Sequence, residues 1–273
     1  MENGKCKMQN VRHITVHCAF SILHFLPSLT ITSISRYTIT SMLSLILPTY
    51  NEAENIPRVV PELQGILKDI PHEIIIVDDD SPDGTWRVAE ELAAGNDRVR
   101  VIRRVGRRGL SSAVIEGFLA AKGEVLGVTD ADGQHDYTLL PSLCRAVEGK
   151  GGLAIGSRYV EGGSVGKWDE RRQWMSRLAT DMAKRLCRVR VTDPMSGFFA
   201  VSREIALRVA PRLHPHGFKI LFDILVRIPR STPVTELPYT FRTRTHGESK
   251  MSLRVQLQFL LTVLEAVPAR LFP

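Results

Sequence analysis

The sequence predicts an α/β protein built on a mostly parallel, doubly wound central sheet flanked by helices. Three observations predict it. Short, wholly apolar runs recur, as in strands buried on both faces of a parallel sheet. Each run empties into a polar loop and then a stretch of helical periodicity, which is the βα unit. Three of the runs end in acidic residues, Glu52, Asp79 and the pair Asp130/Asp132. Ligands of such sheets sit beyond the carboxyl ends of the strands.

The chain has 273 residues, 44% hydrophobic and 24% charged, enough for one large α/β domain. Its net charge of +7 and pI of about 9.4 favour anionic partners. Cys6, Cys18, Cys144 and Cys187 have neither metal nor disulfide spacing. No G-x-G-x-x-G occurs, which counts against NAD or FAD. The basic residues are spread over several loops without interleaved aromatics, which counts against nucleic acid as a partner. No internal repeat is visible.

The first 41 residues differ from the rest. No acidic residue occurs from Asn3 to Asn51, and no Lys or Arg lies between Arg12 and Arg36. The stretch reads as a poorly ordered extension, with a signal anchor or transit peptide as the competing reading. Met42 precedes the first clean strand. Leu43–Leu47 is a buried strand closed by Pro48, and Ala53–Leu67 a helix with Ile56, Val59, Val60 and Leu63 on one face. Glu73–Val77 is the second strand, running into Asp78-Asp79-Asp80-Ser81-Pro82-Asp83-Gly84-Thr85. In that loop Asp83 or Thr85 is placed to cap a helix over Trp86–Ala94. Val99–Arg103 is a third strand. The arginines 103, 104, 107 and 108 then surround Gly106 and Gly109, either to grip phosphate or as a solvated loop. A helix follows over Ser111–Ala121.

The fourth strand, Glu124–Val128, delivers Asp130-Ala131-Asp132-Gly133-Gln134-His135. Residues i and i+2 of an extended segment share a side, so Asp130 and Asp132 can converge. Two carboxylates and a Gln oxygen suit a hard dication such as Mg²⁺ or Mn²⁺. An acidic turn without a ligand reads equally well from these residues alone. Leu139–Glu148 is a helix and Leu153–Gly156 a fifth strand. Beyond Val160 the pattern predicts a long basic helix over Trp168–Val189, a turn at Asp193–Gly197, a strand at Phe198–Val201, a helix over Gly217–Ile228 and an edge strand over Val234–Phe241. Arg242–Lys250 is a basic loop. Met251–Val267 is amphipathic, suited to a membrane surface or to packing on the protein.

Six segments then fall in order: Pro48-Thr49-Tyr50-Asn51-Glu52, Val77–Thr85, Asp130–His135, Gly156-Ser157-Arg158-Tyr159, Asp193–Phe199 and Gly247-Glu248-Ser249-Lys250. Together they resemble the family-2 glycosyltransferases, and among them the dolichol- or polyprenol-phosphate mannosyltransferases. The resemblance covers about Leu43 to Leu257. It implies a GT-A nucleotide-diphospho-sugar fold, with a catalytic domain at 42–257 and an amphipathic tail at 258–273. It implies GDP-mannose bound by Pro48, Tyr50, Glu52, Val77, Asp79, Asp130, Ala131 and Asp132, with Arg244 and Lys250 over the phosphates. It implies Mg²⁺ or Mn²⁺ on Asp132 and Gln134, and an acceptor phosphate near Arg158, Arg172, Ser176 and Lys219. The catalytic set implied is Asp132, Arg158, Arg172, Arg244 and Lys250.

The implied reaction moves mannose with inversion onto dolichyl or polyprenyl phosphate at the cytoplasmic face of a membrane, with a small membrane-anchoring subunit as a further partner. The competing readings are a UDP-glucose-dependent transferase and a non-catalytic nucleotide-sugar-binding subunit. One departure stands out. The loop reads Asp78-Asp79-Asp80, where many relatives carry Gly or Asn third.

Overall fold

The computed structural model describes residues 39–166, 180–215 and 219–242. Its strands are β1 (Leu43–Thr49), β2 (His72–Asp78), β3 (Val99–Arg103), β4 (Val125–Val128), β5 (Leu153–Ser157), β6 (Phe199–Ser202) and β7 (Val234–Pro238). Its helices are α1 (Ile56–Ile66), α2 (Thr85–Ala93), α3 (Leu110–Ala120), α4 (Leu140–Lys150), α5 (180–186), α6 (Arg203–Val209) and α7 (Ile220–Arg227). The seven strands lie in the order β3-β2-β1-β4-β6-β5-β7.

Period-2 alternation divides the apolar side chains between two layers. Ile46, Ile75 and Val77 join Val114, Phe118 and Phe222 on one face. Leu45, Leu47, Ile74 and Ile76 join Val59, Leu63 and Leu143 on the other. Both faces of β1 and β2 are therefore covered, which is why these strands read as unbroken apolar runs rather than alternating ones. The result is helices on either side of one sheet.

The structure departs from the expected pattern at several points. β1 does not stop at Pro48. It continues to Thr49, with Pro48 beside Val77. The sheet is mostly parallel, as expected, and its one antiparallel strand is β6, between β4 and β5. The crossover from β4 through α4 leaves one place vacant, and β6 fills it from the opposite direction. The basic helix does not reach Val189. Its described part ends at residue 186, and the Arg188 amide turns to the Leu225 carbonyl at 3.1 Å. Helix α6 was not expected at all, because its 7 residues are too short for a clear period. The chain also packs before Met42. Ile39 is buried, and the amides of Thr40 and Ser41 donate to Glu148.

Candidate active site

The carboxyl ends of β2, β1 and β4 lie side by side, so the loops after them share one rim. The first two loops are stitched together. The Thr49 hydroxyl donates to Asp78 at 2.8 Å, the Asn51 amide to Ser81 Oγ at 3.0 Å, the Glu52 amide to Thr85 Oγ1 at 2.9 Å and the Ala53 amide to Asp83 at 3.1 Å. The cap position of α2 falls on Gly84, which has no side chain to cap with, rather than on Asp83 or Thr85; Asp83 takes the Thr85 amide and so braces the two loops. Pro48 and Val77 face each other across the ladder, and Tyr50 and Glu52 are half-buried beside them. Asp80 adopts a left-handed backbone, φ 53°. Gly and Asn take that conformation most easily, and Asp tolerates it. Here Arg103 holds its carboxylate at 2.6 Å.

Asp79 is buried and engaged from two sides. Arg104 donates to one oxygen at 2.5 Å and the Gly109 amide to the other at 2.7 Å. Burial nevertheless raises its pKa, outweighing both partners. The four arginines of residues 103–108 thus have different fates. Arg104 is sunk 2% exposed and also reaches Ser112, Arg107 pairs with Glu116, and Arg108 lies over the Tyr50 ring at 4.7 Å. Sequence reading missed Arg104 because nothing in the string distinguishes it from its exposed neighbours.

After β4 the chain turns at Gly133, φ 75°, inside a set of internal bonds. The Tyr137 hydroxyl donates to the Asp130 carbonyl at 2.9 Å and accepts the Gly133 amide at 3.2 Å. Asp132, 4% exposed, accepts the Gln134 amide at 3.0 Å, and Ala131 is buried between the two carboxylates. The Gln134 side chain donates its nitrogen to the Arg242 carbonyl at 3.1 Å. Its oxygen is then the end turned away from that contact. A carboxylate and a carboxamide oxygen two residues apart on a braced turn fit an oxygen-seeking dication. Among the described residues no group of three His, Cys, Asp or Glu gathers as a metal cluster.

His135 sits behind the turn, stacked on Phe198 at 5.0 Å and edge-on to Tyr239 and Phe241. Burial pushes its pKa down to about 4, so it is neutral at pH 7. Its Nδ1 accepts the Asp130 amide at 3.3 Å, which leaves the proton on Nε2, 3.7 Å from the Asp130 carboxylate. Gly197 approaches the same carboxylate. A Cβ there would stand 3.3 Å from Asp130 Oδ2. The turn before β6 is thereby packed against the acidic turn after β4.

Arg158, at the end of β5, is 9% exposed and grips Asp193 with two bonds of 2.8 Å. Burial opposes its charge, but the Asp193 carboxylate more than restores it and raises the guanidinium pKa. The Lys219 ammonium lies 3.4 Å from the Met195 carbonyl. The Arg158 guanidinium also stands 5.7 Å from the Phe241 ring, which is edge-on to His135 at 5.8 Å. Arg158 and the acidic turn therefore meet at one aromatic wall. Arg172, Ser176, Arg244 and Lys250 lie outside the described residues.

Residues 44–209 match the family described as Glycosyl transferase family 2. A dolichol-phosphate mannosyltransferase of Pyrococcus furiosus is 43% identical over 219 residues, 80% of this chain. The aligned part spans 61% of that protein's length. The dolichol-phosphate mannosyltransferase of Saccharomyces cerevisiae is 37% identical over 81% of this chain and 85% of its own. A polyprenol monophosphomannose synthase of Mycolicibacterium smegmatis is 39% identical over 76% and 80%. Among solved structures, glucosyl-3-phosphoglycerate synthase of Mycobacterium tuberculosis, bound to Mn²⁺, UDP-glucose and phosphoglyceric acid, superimposes with a TM-score of 0.61 at 21% identity, covering 88% of this chain and 85% of that one. A mannosyltransferase of Pyrobaculum calidifontis with GDP-mannose and Mn²⁺ gives 0.52 at 16% identity, covering 85% and 73%. These likenesses give the fold, a GT-A sheet.

Proposed function

The chain belongs to glycosyl transferase family 2, and on that premise we propose that it transfers mannose from GDP-mannose to a dolichyl or polyprenyl phosphate. The observation that supports the reading is the Phe241 ring, which meets His135 of the acidic turn edge-on at 5.8 Å and carries the Arg158 guanidinium at 5.7 Å. On this reading, oxygen donors for a diphosphate-bound cation and a cation for a second anion would lie on either side of one aromatic wall. The names of the relatives supply the sugar and the lipid.

A phosphate monoester carries about 1.5 to 2 negative charges at neutral pH. Its oxygen is a ready nucleophile, so the protein needs position and charge more than a general base. Arg158, held in its fork by Asp193, would orient that phosphate together with Lys219, Arg172 and Ser176. Pro48, Tyr50, Glu52, Val77, Asp79, Asp130 and Ala131 would hold the nucleotide sugar, with Arg244 and Lys250 at its phosphates. Asp132 and Gln134 would hold Mg²⁺ or Mn²⁺. When bound, such a cation neutralises charge on the departing diphosphate. Attack in line on the anomeric carbon inverts it, giving a β-linked product from an α-linked donor.

The catalytic unit is assigned to residues 42–257, between the extension 1–41 and the tail 258–273. Among the described residues no helix is long and apolar enough to cross a membrane. A lipid acceptor calls for contact with a membrane surface, on its cytoplasmic side, through the amphipathic Met251–Val267 segment or a small anchoring subunit.

The test is transfer from radiolabelled GDP-mannose, against UDP-glucose, to a short polyprenyl phosphate with Mg²⁺ or Mn²⁺ present. Incorporation from GDP-mannose alone is expected, and preference for UDP-glucose overturns the donor. Asp132→Ala should lower transfer by at least about a hundredfold, the scale of losing one preorganised electrostatic contact. It should also abolish the metal dependence of donor binding. Near-normal turnover in that variant removes the metal assignment.

A further inference from the structure

Glu236 belongs to β7, beyond the segment that matches the family. In the parallel ladder it stands beside Ile155 of β5, two residues before Ser157. Ile155 faces the core layer that holds Cys187 and Val191, and Val234, two residues before Glu236, packs on that same layer. Period 2 therefore gives Glu236 a place where an apolar side chain would ordinarily serve the fold. A carboxylate there needs partners.

Its partners are specific. One oxygen accepts the Thr192 amide at 2.7 Å. The other accepts the Thr192 hydroxyl at 2.8 Å and the Asp193 amide at 3.0 Å. The Thr192 hydroxyl also meets Ser157 Oγ at 2.8 Å. Asp193, fully buried, then gives both carboxylate oxygens to Arg158 and takes the Arg158 amide at 3.1 Å. A continuous chain of bonds runs from Glu236 through the 192–193 backbone to the Arg158 guanidinium.

We propose that Glu236 is a positioning residue for the acceptor phosphate: it fixes the Thr192-Asp193 backbone so that Asp193, gripping Nε and Nη2, holds the Arg158 guanidinium in place at the site. This rests on the reading of Arg158 as an acceptor-phosphate group. Glu236 touches no reacting atom in this scheme. It acts two bonded steps away, and its effect falls on the lipid phosphate rather than on the nucleotide.

The experiment compares Glu236→Gln, Thr192→Val and Arg158→Ala in the full chain. Each is read by KM for a short polyprenyl phosphate, by kcat, by calorimetric affinity for GDP-mannose with Mn²⁺, and by thermal unfolding. Glu236→Gln should raise the acceptor KM about tenfold, the equivalent of losing one charge-assisted hydrogen bond of roughly 1.4 kcal/mol. Donor affinity should stay within twofold. Thr192→Val, which removes one of the three contacts and keeps the backbone, should shift the same quantity by less, and Glu236→Asp should recover part of the loss. If Glu236→Gln does not fold, Thr192→Val carries the test alone. An unchanged acceptor KM in both, with Arg158→Ala raising it, overturns the role of Glu236 and leaves the Arg158 reading standing. Unchanged acceptor KM in Arg158→Ala overturns both. Equal losses of donor and acceptor affinity show a role in folding only.

Discussion

At the scale of single residues, Arg104 carries the most weight for its size. It is buried with Asp79, Ser112, the Gly109 carbonyl and the Glu116 carboxylate around one guanidinium. The planar fork suits that many acceptors, which a lysine could not match. Removing one member of a buried ion pair strands the other, at a cost of about 3–5 kcal/mol. Arg104→Met should lose that much in urea unfolding, and its affinity for GDP should fall, because Asp79 stands in the loop that follows β2. Arg104→Lys should lose less of both. An unmoved unfolding midpoint for Arg104→Met contradicts the account. Asp193 shows the same blind spot more mildly. The sequence offers it inside a turn motif, but not that its carboxylate is the partner of Arg158 from 35 residues earlier.

At the scale of elements, the packing of α3 on β1 depends on one small residue. A Cβ on Gly117 would lie 2.6 Å from Ile46 Cγ2 and 2.8 Å from Cγ1, both on a strand buried from either side. Overpacking of this kind costs about 1–3 kcal/mol. Gly117→Ala should therefore be destabilised by that amount. Pairing it with Ile46→Ala should cost clearly less than the two single losses summed, since each change relieves the other. Strict additivity in chemical unfolding would falsify the contact. Strands and helices such as these were legible because burial on both faces leaves an apolar run and burial on one leaves a 3.6-residue period. The place of β6 was not legible. Its four residues, Phe199–Ser202, look like any buried strand, and direction and neighbour are decided by the chain's path rather than by side chains.

At the scale of the whole molecule, the acidic turn, the turn before β6 and the end of β7 are tied together around one neutral imidazole. The sequence made the acidic turn legible through spacing and the other motifs through their order. It gave no sign that Phe198, Tyr239 and Phe241 would wall in His135, since each lies far along the chain from the turn. That enclosure sets a pH dependence. Burial holds the His135 pKa at about 4, against about 6.5 in the unfolded chain. Between these values the unfolded chain holds a proton that the native one lacks, so stability rises with pH there and is lost as pH falls from 6.5 towards 4. The full loss is on the order of 3 kcal/mol. Burial lowers the His72 pKa too and adds to the loss. Asp79, raised by burial, works the other way and regains stability as it protonates. For Glu73, burial is outweighed by Ser44 and Arg100, and its lowered pKa matters only below the ordinary carboxylate range. Urea unfolding of the native chain should thus be flat between about pH 7 and 8 and steepen below 6.5, with a separate loss above that range as the Cys144 thiol, raised by burial, ionises in the unfolded chain first. In His135→Gln, whatever its stability at pH 7, the slope between pH 6 and 5 should shrink by up to about 1.4 kcal/mol per pH unit, the value of one proton. A slope identical to that of the unsubstituted chain would mean that the imidazole is already charged, and the aromatic enclosure would then have to be wetter than its geometry describes.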